Sequence, residues 1–208
     1  MIKNFKRREM FEEGIRRHEG KMGEEIRFVM GPSSLGLVLV ASSQKGIVAI
    51  LLGGGRKQLV EELQQDFPQA HLVRENGSCE DVVPRVIECI EDPARDLDLP
   101  LDMRGTDFQK RVWRAVREIP MGQTTTYSEI ASKIGAPKAI RAVGSACSKS
   151  KFAVVIPCHR VLHKDGSLCG GSWGSDTQRM LIDREVGTEG QKRLASGGRN
   201  RSSQRRGI

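Results

Sequence analysis

Three aliphatic runs follow one another with almost nothing between them: IRFVMG, GLVLVASS and GIVAILLGG, separated by PSSL and QKG. Side chains of this kind fit a pleated, half-buried surface, and connectors this short join strands in antiparallel order. The first half of the chain is therefore expected to open, near Glu24, as an antiparallel meander. RKQLVEELQQDF, with Leu59, Leu63 and Phe67 at helical spacing, reads as a helix stopped by Pro68, and a second helix is expected from Asp81 to Glu91. The extended LDLPLDMRG leads out of this half.

Helix-start signals dominate the second half. Thr106-Asp107-Phe108-Gln109 has the pattern of a capping box, and Phe108, Val112, Ala115, Val116 and Ile119 form one apolar face before Pro120. Thr126-Tyr127-Ser128-Glu129 is a second capping box, opening a short helix that buries Ile130 and Ile134 and breaks at Gly135-Ala136-Pro137. Pro137 suits the first position of the next helix, whose Ile140, Val143 and Cys147 share a face that leaves Lys138, Arg141 and Ser145 elsewhere. Two short helices about a tight turn fit a helix-turn-helix or a plain helical hairpin. FAVVI then reads as a buried strand leading into Pro157-Cys158-His159-Arg160, and a final helix is expected from about Asp176 to Glu185.

The net charge of +8 is polarised along the chain. Residues 24–106 carry eight basic and fourteen acidic side chains, residues 107–190 thirteen and eight, and between Lys133 and Lys164 there are seven Lys or Arg and no acid. Such a run is either a solvated face or a surface that follows a phosphate backbone. Residues 1–23 and 191–208 are basic and poor in apolar periodicity, so they are expected to be a flexible linker and a disordered tail flanking domains at 24–104 and 105–190. No apolar run approaches the ~20 residues that span a bilayer, and the N-terminus lacks the apolar segment of a signal peptide, so a cytoplasmic, soluble chain is expected. Five cysteines without CxxC spacing argue for free thiols.

Among these, Cys158 has distinctive neighbours. A thiol at the end of an apolar segment, after Pro and before His and Arg, sits where positive charge favours thiolate. An inert buried thiol is one reading of it. In the other, adjacent residues point apart, so His159 cannot easily reach Cys158 directly but could do so through one water, with a carboxylate on its other nitrogen for which Glu185 is a candidate. Cys158, His159, His163 and Cys169 are alternatively a zinc set, although C-H-x3-H-x5-C is not a zinc spacing. A thiol protease would need a distant histidine, and His18 and His71 stand in poor contexts.

IPCHRV, together with FQKRVWRAVREIPMGQTTTYSEIASKIGAPKAIRAVGSAC and LIDRE, resembles the O6-alkylguanine-DNA alkyltransferase family, in particular the C-terminal half of the bacterial Ada protein. The likeness runs from about Glu24 to Val186, and residues 1–23 resemble the end of the domain that precedes this half. It implies an α+β fold: an RNase H-like antiparallel sheet with helices, then a mainly helical helix-turn-helix domain carrying the acceptor cysteine. It implies that Cys158 takes an alkyl group from O6-alkylguanine, or from O4-alkylthymine, irreversibly and once. His159 and Glu185 would form the relay, Tyr127 would donate to guanine N3, and Arg141 would fill the stack when the nucleotide flips out. The carbonyls of Cys158 and Val161 and the residue Ser172 would hold the base, with Gly171 at the pocket wall. Lys138 and Ser145 would join Arg141 against the minor groove of double-stranded DNA. No cofactor or metal is implied, and the chain would act as a monomer in the cytoplasm at the nucleoid, or in the nucleus if eukaryotic.

Two positions depart from the family's pattern. Ser150 stands where an Asn usually bonds across the hinge to the active-site segment, and Gly170-Gly171-Ser172 lacks the aromatic that usually precedes the pocket's Ser or Arg. A catalytically weakened protein that binds alkylated DNA is the alternative these departures raise, and a helix-turn-helix regulator is a more distant one.

Overall fold

The aliphatic runs pair as strands in register: β1 (Glu25–Ser33), β2 (Gly36–Ser43) and β3 (Gly46–Gly53) are antiparallel, with Val29 opposite Val40 and Val40 opposite Ile50. The structure is a computed structural model that describes residues 23–75, 82–95, 97–169 and 173–197. At the β2–β3 turn Gly46 has φ +145°, and a Cβ there would lie 2.4 Å from the Pro100 carbonyl oxygen, so the turn needs glycine to receive the linker. After helix α1 (Arg56–Asp66), strand β4 (His71–Arg74) joins parallel to β1, giving the order β3-β2-β1-β4. The sheet is thus not wholly antiparallel. β4 escapes the sequence reading because HLVR is a short edge strand, half exposed, with no alternation to mark it.

Both faces of this sheet are covered, which is why β2 and β3 are apolar at nearly every position. Leu39, Ala41, Ala49 and Leu51 pack with Leu59, Leu63 and Phe67 of the α1 region. Val38, Val40, Ile50 and Leu52 face α2 (Val82–Glu91) and the C-terminal helices. The outer edge of β3 is closed by two passing segments. Ile47 N–H donates to Pro100 and its carbonyl accepts from Asp102 N–H, both at 2.8 Å; Ile50 N–H donates to Lys151 at 2.6 Å and its carbonyl accepts from Ala153 N–H at 2.9 Å.

In the second half, α3 (Asp107–Arg117) and α4 (Tyr127–Lys133) both start at complete capping boxes, Thr106 with Gln109 and Thr126 with Glu129. The Trp113 indole donates to the Ala146 carbonyl at 2.8 Å, fixing α3 against α5 (Ile140–Ser148). That helix starts later than Pro137: Ala139 is its N-cap and Lys138 lies in the preceding turn. Ile140 is 44% exposed, so the buried face is Val143, Ala146 and Cys147 instead.

FAVVI is not a strand. Only Phe152 bridges to Ile50; Val154 then takes φ 64°, Val155 N–H bonds Ala153 at 2.7 Å, and Ile156 N–H returns to Phe152 at 3.1 Å. The run is apolar because it is buried, and an apolar run of five carries no periodicity that separates a strand from a buried turn. It delivers Cys158 into a 3-10 turn, Cys158–Arg160, followed by β6 (Val161–Leu162), which pairs parallel with β5 (Thr125–Thr126). The last helix, α6 (Gly174–Gly197), begins close to the expected start and continues past Glu185 and past the boundary read at residue 190. All of the expected linker at 1–23 except its last residue, and the rest of the tail, lie outside the described residues.

Candidate active site

Three elements meet at Cys158. The 3-10 turn supplies Cys158, His159 and Arg160; α4 opens with Tyr127; and α6 brings Gln178, Leu181 and Glu185 on one face by helical spacing. Cys158, His159, Tyr127, Gln178 and Glu185 are all buried. His159 Nε2 faces Glu185 Oε1 at 2.7 Å, while its Nδ1 is buried without a hydrogen-bond partner. Since the carboxylate accepts, Nε2 carries the proton and Nδ1 is left with its lone pair.

Arg160 does more than add positive charge near Cys158. Its Nε and Nη2 donate to Glu185 at 2.9–3.2 Å, its Nη1 donates to the Ile119 carbonyl, and Gly122 N–H adds a further bond to Glu185 Oε2 at 3.1 Å. Burial alone would raise the Glu185 carboxyl, but His159 and Arg160 outweigh it and hold it down to about 2. Burial pushes His159 the other way from its carboxylate partner, below the ordinary imidazole value, so the ring is neutral. Burial and the thiol of Cys169 push the Tyr127 hydroxyl well above the usual phenol range, which keeps it a donor. The edge of the His163 ring meets Tyr127 with centroids 5.3 Å apart.

Gln178 was not among the residues singled out from the sequence. Its amide donates to the carbonyls of His159 at 3.0 Å and Val161 at 3.5 Å, and its oxygen faces Cys169 Sγ at 3.7 Å. The signal for it was available: a polar side chain three residues before Leu181 and seven before Glu185, on the buried stripe of the helix. The carbonyl of Cys158 accepts from Val161 N–H within the turn. The zinc alternative has no geometric support, since no group of three or more His, Cys, Asp or Glu among the described residues is arranged to hold a metal ion. His71 sits on β4, in the N-terminal sheet.

Lys138, Arg141 and Ser145 are exposed at and along α5. Ser150 is buried just beyond that helix; its hydroxyl accepts only a long 3.5 Å bond, from Phe152 N–H, and its own N–H donates to Cys147. Gly171 and Ser172 lie outside the described residues.

Residues 107–187 match the family described as 6-O-methylguanine DNA methyltransferase, DNA binding domain. The bifunctional transcriptional activator and DNA repair enzyme Ada of Escherichia coli is 44% identical over 173 residues, 83% of this chain and 49% of that protein. The chain therefore spans about half the length of Ada. The inducible methylated-DNA–protein-cysteine methyltransferase of Bacillus subtilis is 37% identical over 70% of this chain and 82% of its own length. Among solved structures, that of Mycobacterium tuberculosis OGT in complex with DNA superposes with a TM-score of 0.65 at 31% identity, covering 79% of this chain and 94% of that one. With a relative 37% identical and matched over 82% of its own length, the chain belongs to the methylated-DNA–protein-cysteine methyltransferase family.

Proposed function

We propose that this chain repairs DNA by taking the alkyl group of O6-alkylguanine, or of O4-alkylthymine, onto Cys158. The observation that carries the reading is His159: its Nε2 is held by Glu185 at 2.7 Å and its Nδ1 is buried and free to accept, one residue from the thiol. Through one water, Nδ1 takes the Cys158 proton while the Glu185 carboxylate stabilises the imidazolium. The thiolate displaces the alkyl carbon from O6; the S–C bond forms, the C–O bond breaks, and the electron pair stays on guanine. Tyr127, kept protonated by its surroundings, donates to N3 of that leaving base. The thioether has no hydrolytic route back, so one molecule repairs one lesion.

Nucleotide flipping brings the base to the site, with Arg141 entering the stack and Lys138 and Ser145 on the flanking backbone in the minor groove. All three are exposed, in keeping with that role. The Cys158 and Val161 carbonyls and Ser172 hold the flipped base beside Gly171, and the protein works as a monomer in the cytoplasm. The test is an oligonucleotide bearing O6-methylguanine, followed by intact and peptide mass. One methyl group per molecule on Cys158 is expected, and none on Cys158→Ala, which still binds the duplex. Methylation at another cysteine, or several turnovers per molecule, overturns the mechanism; binding without transfer by the parent chain selects the weakened-binder alternative.

A further inference from the structure

Helix α6 grips the catalytic turn twice, and the proton relay uses only one of the two grips. Glu185 holds the side chains of His159 and Arg160. Gln178, seven residues earlier on the same face and 2% exposed, holds the backbone instead. Its Nε2 donates to the His159 carbonyl at 3.0 Å and, over a longer 3.5 Å, to the Val161 carbonyl. The sense of this amide is fixed by its neighbours: the two carbonyls can only accept, so the NH2 group faces them, and the Cys169 thiol donates to Oε1 at 3.7 Å on the other side. The backbone that it holds is short of its own restraints, since the turn is three residues long, β6 is two, and residues 163–167 beyond it are exposed.

We propose that Gln178 is a positioning residue that sets the site's preference for guanine, by fixing the carbonyls that receive the exocyclic 2-amino group of the flipped base. The inference rests on the repair reading, in which the carbonyls of Cys158 and Val161 hold that base. Of the two lesions named there, only the guanine brings a donor to this edge; O4-alkylthymine has its O2 carbonyl in the corresponding place, and two carbonyl oxygens that face each other repel. A carbonyl has two lone pairs, so the Val161 oxygen accepts from Gln178 with one and from the amine with the other. The His159 bond is the firmer of the two, and it immobilises the stretch of backbone between the Cys158 and Val161 carbonyls. Without the amide those carbonyls are free to turn away from the amine, and the group that distinguishes guanine no longer adds to binding of the reacting base.

The experiment measures single-turnover transfer to Cys158 in the full chain from two duplexes that differ at one group. One carries O6-methylguanine, the other O6-methylhypoxanthine, which has hydrogen in place of the 2-amino group. The parent chain is expected to react about three- to tenfold faster with the guanine, the worth of one hydrogen bond. Gln178→Met, similar in length and without a donor, is expected to lose that preference. Each preference is a ratio taken on one preparation, so any unfolded fraction cancels. A merely structural role slows both substrates equally; an unchanged ratio in the variant, or no preference in the parent, overturns the proposal. Hydrogen exchange of the peptide spanning 158–162, without DNA, is the second measurement: faster exchange is expected in Gln178→Met, and exchange at the parent's rate also overturns it. A parent chain that takes no methyl group from either duplex defeats the repair reading. The preference is then read from duplex affinities, which a chain that only binds alkylated DNA still shows, and equal affinities in the parent overturn this proposal as well.

Discussion

Glu185 spends its acceptor capacity on His159, Arg160 and the Gly122 amide, and its acidity follows from that. Its carboxyl is held at about 2 against an ordinary 4.5, so the folded state binds its proton less readily than the unfolded chain. Stability from this group is complete above pH 4.5 and drains away as the pH falls toward 2. A shift of this size corresponds to about 3 kcal/mol at neutral pH. His159, depressed by burial, adds an earlier loss that starts as the pH drops below its ordinary 6.5. Glu185→Gln is therefore expected to lower stability at pH 7 by about 2–3 kcal/mol and to flatten the acid limb between 4.5 and 2, while the His159 limb deepens because the carboxylate that opposes its burial is gone. Urea unfolding at pH 7, 5 and 3 checks this; curves for parent and variant that stay parallel would remove Glu185 from the relay. Arg141, exposed on α5, calls for a different comparison. If it occupies the gap left by a flipped nucleotide, Arg141→Ala slows transfer in duplex DNA far more than transfer from the free base, since unstacking costs on the order of a few kcal/mol that a free base never incurs. Equal losses on both substrates would show that it does not enter the stack.

At the scale of elements, legibility tracked the locality of the signal. Both capping boxes were readable because Thr106–Gln109 and Thr126–Glu129 each complete their bonds within four residues, and the meander was readable because its connectors are short. Glu185 could be named from the sequence as a candidate partner of His159, and the two do bond, whereas Gln178 and the second role of Arg160 depend on how α6 lies across the turn. β4 and the FAVVI segment were not readable, because what decides them is a distant partner: β1 for one, the edge of β3 for the other. Tertiary demand shows most clearly at Val154, a β-branched residue at φ 64°. A left-handed conformation costs such a residue roughly 1–2 kcal/mol, which Gly would not incur. Its neighbour Val155 is similarly half-buried against the same core without the positive φ. Val154→Gly is thus expected to lower the melting temperature much less than Val155→Gly, although both delete the same side chain. Equal losses in thermal unfolding would mean that Val154 carries no strain.

For the whole molecule, the boundary near residue 105 separates two halves of sequence but not two cores. One buried cluster contains Val38, Ile50, Val86 and Ile90 from the first half together with Trp113, Val116, Phe152 and Ile156 from the second. The two halves are also tied at both flanks of the active site. Ile50 exchanges backbone bonds with Lys151 and Ala153 just before the turn that carries Cys158. On the other flank Arg184, next to Glu185 on α6, donates to the Ile90 carbonyl at 2.9 Å and to Ser34 Oγ at 2.7 Å. The acidic first half is thereby a brace for a basic second half whose helix α5 leaves Arg141 and Ser145 exposed. Each large apolar side chain returned to water costs about 1.5–3 kcal/mol, and four or five such losses reach the ~5–15 kcal/mol that is the whole stability of an ordinary domain. A fragment of residues 105–190 is consequently expected to lack a cooperative unfolding transition and to accept no alkyl group, although it contains Cys158, His159, Glu185, Tyr127 and Arg141. Adding residues 23–104 as a separate chain should restore part of both, because the missing brace is made of noncovalent contacts. Near-UV circular dichroism, urea unfolding and peptide mass after exposure to O6-methylguanine DNA make the comparison; a fragment that melts cooperatively and methylates Cys158 alone would show that the second half needs no brace.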